Sequence, residues 1–312
     1  SDNVTVIDGS DNSTTTVAVG DAPFGVAVNP ATDRIYVANN GVGANTVTVI
    51  NGTSNSTVSI PVGLGPLGVA VNPVTNRIYV TNNSGNNVSV VDGTNNTVTA
   101  TVAAGTSPQR VDVNPVTNRI YVVNFGGGFV TVIDGSSNSP TNVPITTFND
   151  LTVAVNPATN KIYFPNPVFG TVTVLDGTNN SLQSVTVGTG PIAAGINPLT
   201  NKIYVPNNGS ANVTVITPAP SNTIPLNTAV TPFGGNTTSS FAPSFTLTAT
   251  STYSPTAPPP QCIYFQIDST NGTWTRATNT GSTPTTVTAT ANAPVLKDGL
   301  HIIYFFASDG SD

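Results

Sequence analysis

Acid–base and nucleophilic chemistry needs histidine, cysteine or paired carboxylates, and this 312-residue chain supplies few of them. Its one histidine, His301, begins a strand-like run in the C-terminal part, with no nucleophile-elbow motif nearby. A Ser/His/Asp or Cys/His arrangement would have to use it, so a structural role for His301 is expected. Cys262 stands alone and builds no disulfide framework. Glutamate is absent, so metal ligands would have to come from aspartates and backbone carbonyls. Asp92-Gly93-Thr94-Asn95-Asn96 has some of the composition of a calcium loop, but it lacks the alternating acidic ligands and the closing glutamate. Asp-Gly recurs at 8–9, 134–135 and 176–177, with Asn51-Gly52 in the remaining copy, and turn geometry explains that recurrence. Gly126-Gly127-Gly128 joins two strands and is no phosphate loop. The reading is therefore of no catalytic residue, no metal ligand and no cofactor.

The residue pattern that could carry chemistry is Asn-x-Ser/Thr, the acceptor for N-glycans. It begins at Asn3, Asn12, Asn51, Asn55, Asn82, Asn87, Asn95, Asn179, Asn208, Asn212, Asn236 and Asn271. A chain rich in Asn, Ser and Thr also generates such triplets by chance, and occupancy depends on the host. Several lie on repeat turns, where a glycan would be accessible.

The elements that position these residues come from a repeat. Ile35-Tyr36-Val37-Ala38-Asn39 returns at 78–82, 120–124, 162–166 and 203–207, at spacings of 43, 42, 42 and 41 residues. A period in the low forties with strand-like content marks a propeller blade rather than a helical array. The second full copy shows four strand signals, at 67–71, 77–81, 87–91 and 97–102, rich in Val, Ile, Thr and Tyr. Asn72-Pro73-Val74-Thr75-Asn76 and Asp92-Gly93-Thr94-Asn95-Asn96 supply the turns between them. One such blade cannot bury both its faces, so blades must stack. The tyrosines at 36, 79, 121, 163 and 204 share one blade position and are expected to pack between blades.

With these residues the chain resembles the YVTN-type β-propeller repeat family over about residues 1–217. The resemblance implies a radial propeller, usually of a secreted or surface protein, and does not imply one activity.

Composition excludes other classes. Only 7% of residues are charged, and methionine is absent. With helix formers so rare, almost no helix is expected. The net charge is −6, and five of the eight basic residues (Arg34, Arg77, Arg119, Lys161 and Lys202) sit at one repeat position, spread around the ring. Nucleic-acid binding needs clustered positive charge and is disfavoured. No stretch approaches the ~20 apolar residues of a membrane span.

Near residue 218 the composition shifts, Thr217-Pro218-Ala219-Pro220 replaces the Asp-Gly turn, and the repeat stops. Runs at 244–250, 262–268, 286–291 and 301–307 suggest a small β-sandwich over 221–312, with 1–220 as the propeller. Phe245-Thr246-Leu247-Thr248-Ala249-Thr250, Ile263-Tyr264-Phe265-Gln266-Ile267-Asp268 and Asp298-Gly299-Leu300-His301-Ile302-Ile303-Tyr304 resemble bacterial Ig-like surface domains. Trp274 is expected to close one end of that core. The fold class is thus all-β, a propeller of five blades, or six if 233–250 continues it, followed by an Ig-like sandwich.

Residues 3–8 match a third blade strand and 14–19 a fourth, while 190–216 supply strands one to three of a last blade. If 14–19 completes that last blade, a five-bladed ring closes. The strand Asn3, Val4, Thr5, Val6, Ile7 and Asp8 is then surplus and free to add to a neighbour. Contacts of that head-to-tail kind do not close, so they build a filament. A chain truncated at both ends, with further repeats upstream, explains the same pattern, and residue 1 is serine. Two functions follow. The first is a non-enzymatic extracellular structural protein whose partner is itself, with glycans on its surface. The second is a secreted adhesion or ligand-binding propeller recognising carbohydrate or protein.

Overall fold

Alternation of Val, Ile and Tyr with Thr, Ser and Asn turns each repeat into antiparallel strands with two buried faces. The computed structural model describes residues 1–145, 152–197, 200–217, 226–231, 233, 237–251, 260–268, 274–283, 286–297, 299 and 301–308. They fall into two units, Ser1–Thr217 and Pro218–Asp312.

The first unit opens with a hairpin of β1 (Asn3–Ile7) and β2 (Thr14–Ala18). Four four-stranded meanders follow. Blade 1 is β3 (Pro23–Asn29), β4 (Arg34–Asn39), β5 (Thr46–Asn51) and β6 (Thr57–Pro61). Blade 2 is β7 (Pro66–Asn72), β8 (Arg77–Asn82), β9 (Asn87–Asp92) and β10 (Thr97–Ala103). Blade 3 is β11 (Pro108–Asn114), β12 (Arg119–Asn124), β13 (Phe129–Asp134) and β14 (Ser139–Pro144). Blade 4 is β15 (Ala154–Asn156), β16 (Lys161–Asn166), β17 (Thr171–Asp176) and β18 (Leu182–Thr186). Blade 5 has three strands, β19 (Gly195–Ile196), β20 (Ile203–Asn207) and β21 (Asn212–Ile216). The inner strands touch in series, β3 to β7 to β11 to β15 to β19. These repeated sheets form an all-β propeller architecture.

The expected closure by 14–19 does not occur. β2 pairs along its whole length with β1, from Asn3↔Ala18 to Ile7↔Thr14, and among the described residues no fourth strand lies beside β21. Residues 3–8 are therefore not a free strand. β1 and β21 both read Asn-Val-Thr-Val-Ile, so side chains give β2 no preference between them. Pairing across a short turn closes a much smaller loop, and the local partner wins.

The turn between the third and fourth strands also differs from the simple Asp-Gly reading. Asn96 N donates to Asp92 O (2.8 Å), Thr94 N donates to Asp92 Oδ1 (2.8 Å), and the left-handed residue is Asn96 (φ 57°). Gly93 answers a different need. A Cβ there would lie 2.3 Å from Asn76 Oδ1 in the neighbouring turn, while Gly93 N donates to Asn76 O at 2.9 Å. Close approach, not positive φ, selects that glycine.

The second unit packs two antiparallel sheets. One orders β22 (Leu226–Val230), β23 (Ser244–Ser251), β27 (Thr286–Asn292) and β26 (Thr278–Ser282), and the other orders β25 (Thr275–Arg276), β24 (Cys262–Ile267) and β28 (Ile303–Ser308). Leu247, Ala249, Ile263, Phe265, Val287 and Ala289 form the core between them. β22 and β23 belong to this sandwich, so the alternative of a sixth blade over 233–250 is not realised. Trp274 is not in the core. It packs edge-on against Phe306 (4.9 Å), which stacks on Tyr264 (5.3 Å). Tyr264 and Phe306 alternate with core-facing Ile263, Phe265, Phe305 and Ala307, which places the trio on the opposite face of the sheet.

Candidate functional site

Each joint between blades is built from the same parts. Tyr36, Val47, Val49 and Ile60 of blade 1 pack on Ile78, Val80, Val69 and Val71 of blade 2, and equivalent residues repeat the contact through blades 2, 3, 4 and 5. Burial pushes the Tyr79 and Tyr121 hydroxyls up to about 12.

An asparagine clamp locks each joint. Asn29 Nδ2 donates to Asn76 Oδ1 (2.9 Å), Asn72 to Asn118 (2.8 Å), Asn114 to Asn160 (2.8 Å) and Asn156 to Asn201 (3.2 Å). The acceptors all hold φ between 50° and 54°, a conformation asparagine tolerates. Each donor's own Oδ1 caps the turn that follows it, as Asn72 Oδ1 does for the Val74 and Thr75 amides.

At both ends of the row this interface lacks a partner. In blade 5, Tyr204 is 41%, Val213 57% and Val215 47% exposed, whereas their counterparts Tyr36, Val47 and Val49 in blade 1 are buried. The tyrosine position is therefore a packing position in blades 1 to 4 and an open one in blade 5. On the opposite side of blade 1, Val26 and Val28 are each 57% exposed, although Val69 and Val71 in blade 2 are partly buried against blade 1. Only the outer half of that blade 1 face is covered: Val4, Val17 and Val19 of the β1–β2 hairpin lie on Ile35, Val37 and Ile50. The two open faces are the two halves of an interface that the chain makes four times within itself. Asp33 occupies the clamp-acceptor position in blade 1 (φ 51°) and Asn197 the clamp-donor position in blade 5.

The inner strands carry one irregularity, which the repeat alone did not bring forward. Blades 1 and 2 place Gly25 and Gly68 where a Cβ would lie 2.2 Å from Leu67 O and 2.4 Å from Gln109 O. Blade 3 has Arg110 at that position, and its guanidinium lies 5.2 Å from the Phe24 ring centroid of blade 1, a cation–π contact between non-adjacent blades. Two residues on, Asp112 replaces Ala27, Ala70, Ala154 and Gly195. Its Oδ2 accepts from Val155 N and its Oδ1 from Val113 N, both at 2.8 Å. Burial raises its carboxyl to about 6 in spite of those two bonds. Aligning the repeats and looking for size and charge breaks on the inner strand would have found both residues.

In blades 2, 3 and 4 the basic residue before Ile-Tyr (Arg77, Arg119, Lys161) stands opposite a turn aspartate (Asp92, Asp134, Asp176) in the strand register, whereas Arg34 of blade 1 faces Asn51. Arg77 reaches Asp92 at 3.0 Å and Lys161 reaches Asp176 at 2.5 Å. His301 donates from Nδ1 to Asp268 and from Nε2 to the Lys297 carbonyl, both at 2.6 Å, and those two acceptors raise its pKa. It lines a cavity of about 410 Å³ with Phe233, Phe241, Phe245 and Lys297, but neither ring nitrogen is left to act there. No group of three metal-ligating side chains occurs among the described residues.

The glycan acceptors fall into distinct settings. Asn12, Asn95, Asn179, Asn208 and Asn212 are exposed, and Asn3, Asn51, Asn55 and Asn87 are half-buried. Asn82 is fully buried, and its amide donates to Asn87 Oδ1 (2.7 Å) and Ser89 Oγ (2.9 Å), which corrects its reading as an accessible acceptor. Asn236 and Asn271 lie outside the described residues.

No protein-family model matches the chain. No curated protein matches it either. Among solved structures, hydrazine synthase of Kuenenia stuttgartiensis is similar at 17% identity and a TM-score of 0.54, covering 80% of this chain and 67% of that one. Streptogramin B lyase is similar at 14% identity and a TM-score of 0.56, covering 71% of this chain and 78% of that one. At such identities the likeness establishes the shared propeller fold and nothing of the chemistry.

Proposed function

We propose that the protein is a non-enzymatic, extracellular structural component that assembles with copies of itself, head to tail, into a filament or surface layer. The observation that carries this reading is the pair of open blade faces. Val26 and Val28 on one side and Tyr204, Val213 and Val215 on the other are apolar positions that every internal joint covers. Fully burying a Val side chain contributes roughly 1.5–3 kcal/mol, and these half-exposed valines would gain part of that each when two copies mate these faces. A contact between different ends of the molecule propagates instead of closing on a dimer. The YVTN-type resemblance and the Ig-like pattern of the second unit support a surface location, and the exposed acceptors Asn12, Asn95 and Asn179 support a glycan coat. Catalysis lacks support, since the one histidine has both nitrogens engaged.

Electron micrographs of the purified chain test the proposal. Long polymers are expected for the native sequence, and isolated particles for a Val213→Asp, Val215→Asp variant with unchanged circular dichroism. A native chain that stays monomeric at every concentration would overturn it. A second reading, a ligand-binding propeller, draws on Arg110, Phe24 and Asp112, which break the repeat on the inner strands. Stable monomers that retain a carbohydrate or protein, and lose it in Arg110→Ala, would favour that reading.

A further inference from the structure

We infer that the joint between two copies is a composite blade, in which β19, β20 and β21 of one copy are completed by β2 of the next, whose β1 is displaced. This rests on the self-assembly reading and specifies its geometry.

The covered outer half of the blade 1 face shows what a preceding blade does there. β1 occupies the third-strand position and β2 the fourth, with Val4 and Val17 set against Val37 and Ile50. Val26 and Val28 of blade 1 are open where the first and second strands of a blade would lie. Blade 5 is the converse: among the described residues it has strands one, two and three and no fourth. Placed together, the two halves contain one third strand too many, β1 and β21, and these are the same five residues. β2 therefore exchanges Asn3, Val4, Thr5, Val6 and Ile7 for Asn212, Val213, Thr214, Val215 and Ile216 in the same register, with every cross-strand pair preserved.

Exchange alone is neutral, and the gain comes from what travels with β21. Tyr204 on β20 reaches the position from which Tyr36 covers Val69 and Val71, and would cover Val26 and Val28. β1 brings no such residue. The occupant is a second copy because, within one chain, both faces stay open while β2 is held by β1.

Two cysteine pairs in a Cys262→Ala background test the exchange. Thr214→Cys with Thr16→Cys places the thiols across the composite sheet, and oxidation is expected to give a ladder of covalent multimers. A fast-migrating cross-linked monomer instead would show closure within one chain and overturn the inference. Polymers in micrographs without any ladder would overturn the composite blade and leave self-assembly standing. Absence of both polymers and ladder would sink the two readings together. Thr5→Cys with Thr16→Cys locks the hairpin, since Thr5 and Thr16 are partners in it. Oxidation should then reduce polymer at least tenfold, and reductant should restore it. Undiminished polymer with the hairpin locked would refute strand exchange.

Discussion

Asp112 Oδ2 accepts the backbone N–H of Val155 at 2.8 Å, so a carboxylate on the inner strand of blade 3 holds the inner strand of blade 4. The other blades place alanine or glycine there and make no such bond from a side chain. β15 is only three residues long, Ala154–Asn156, and this bond anchors its centre.

That carboxyl gives stability a pH dependence of defined sign. Its folded pKa, about 6, lies above the unfolded value, so the folded state binds the proton more tightly. The contribution is fully present below about pH 3.8 and is lost as pH rises through about 6, amounting to at most about 3 kcal/mol. Asp112→Asn keeps an acceptor for Val155 and cannot titrate. Urea unfolding between pH 4 and 7 should therefore show a flatter stability profile for Asp112→Asn than for the native chain. Parallel profiles would show that Asp112 does not titrate in this window.

Gly93→Ala should cost about 1–3 kcal/mol through overpacking, because its Cβ falls 2.3 Å from Asn76 Oδ1. Asn76 Oδ1 is also the acceptor for Asn29, so the two sites are coupled. A double-mutant cycle of Gly93→Ala with Asn29→Ala should give less than the sum of the single effects, read by denaturant midpoints. Simple additivity would mean that Asn76 moves without losing its clamp.

His301 should titrate above 6.5, since the protonated ring satisfies both the Lys297 carbonyl and Asp268. Its stabilisation is present below 6.5 and fades as pH rises through the folded value. A nitrogen-detected NMR titration measures this directly. The ring bridges the Lys297 carbonyl and Asp268, which also accepts from Ile302 N, so protection of the Ile302 amide, corrected for base-catalysed intrinsic exchange, should fall at alkaline pH.

If the chain is produced in a glycosylating host, peptide mass spectrometry should find Asn82 unmodified and Asn95 and Asn179 modified. Asn82 has its amide hydrogens spent inside the blade, while the other two project from turns. Glycan on Asn82 in folded protein would show that modification precedes folding of blade 2.

The repeat was legible because its signals are local. Asn72-Pro73 and Asp92-Gly93 mark turns within a few residues, and period-2 alternation in 77–82 and 87–92 marks the strands between them. The partner of β2 was not legible. β1 and β21 present the same side chains, so only the distance along the chain separates them, and pattern carries no such information. Trp274 was misplaced for a related reason, because alternation says which residues share a face and not which face is buried. Arg110 and Asp112 were visible as letters, but their meaning needed other blades, where Phe24 of blade 1 and Val155 of blade 4 meet them.

The clamp that joins Asn72 to Asn118 uses a donor asparagine found in all five units and an acceptor asparagine found in blades 2 to 5, and it never refers to how many units there are. A duplication or loss of one whole repeat would leave each remaining joint intact. The number of blades is thus written into no single joint.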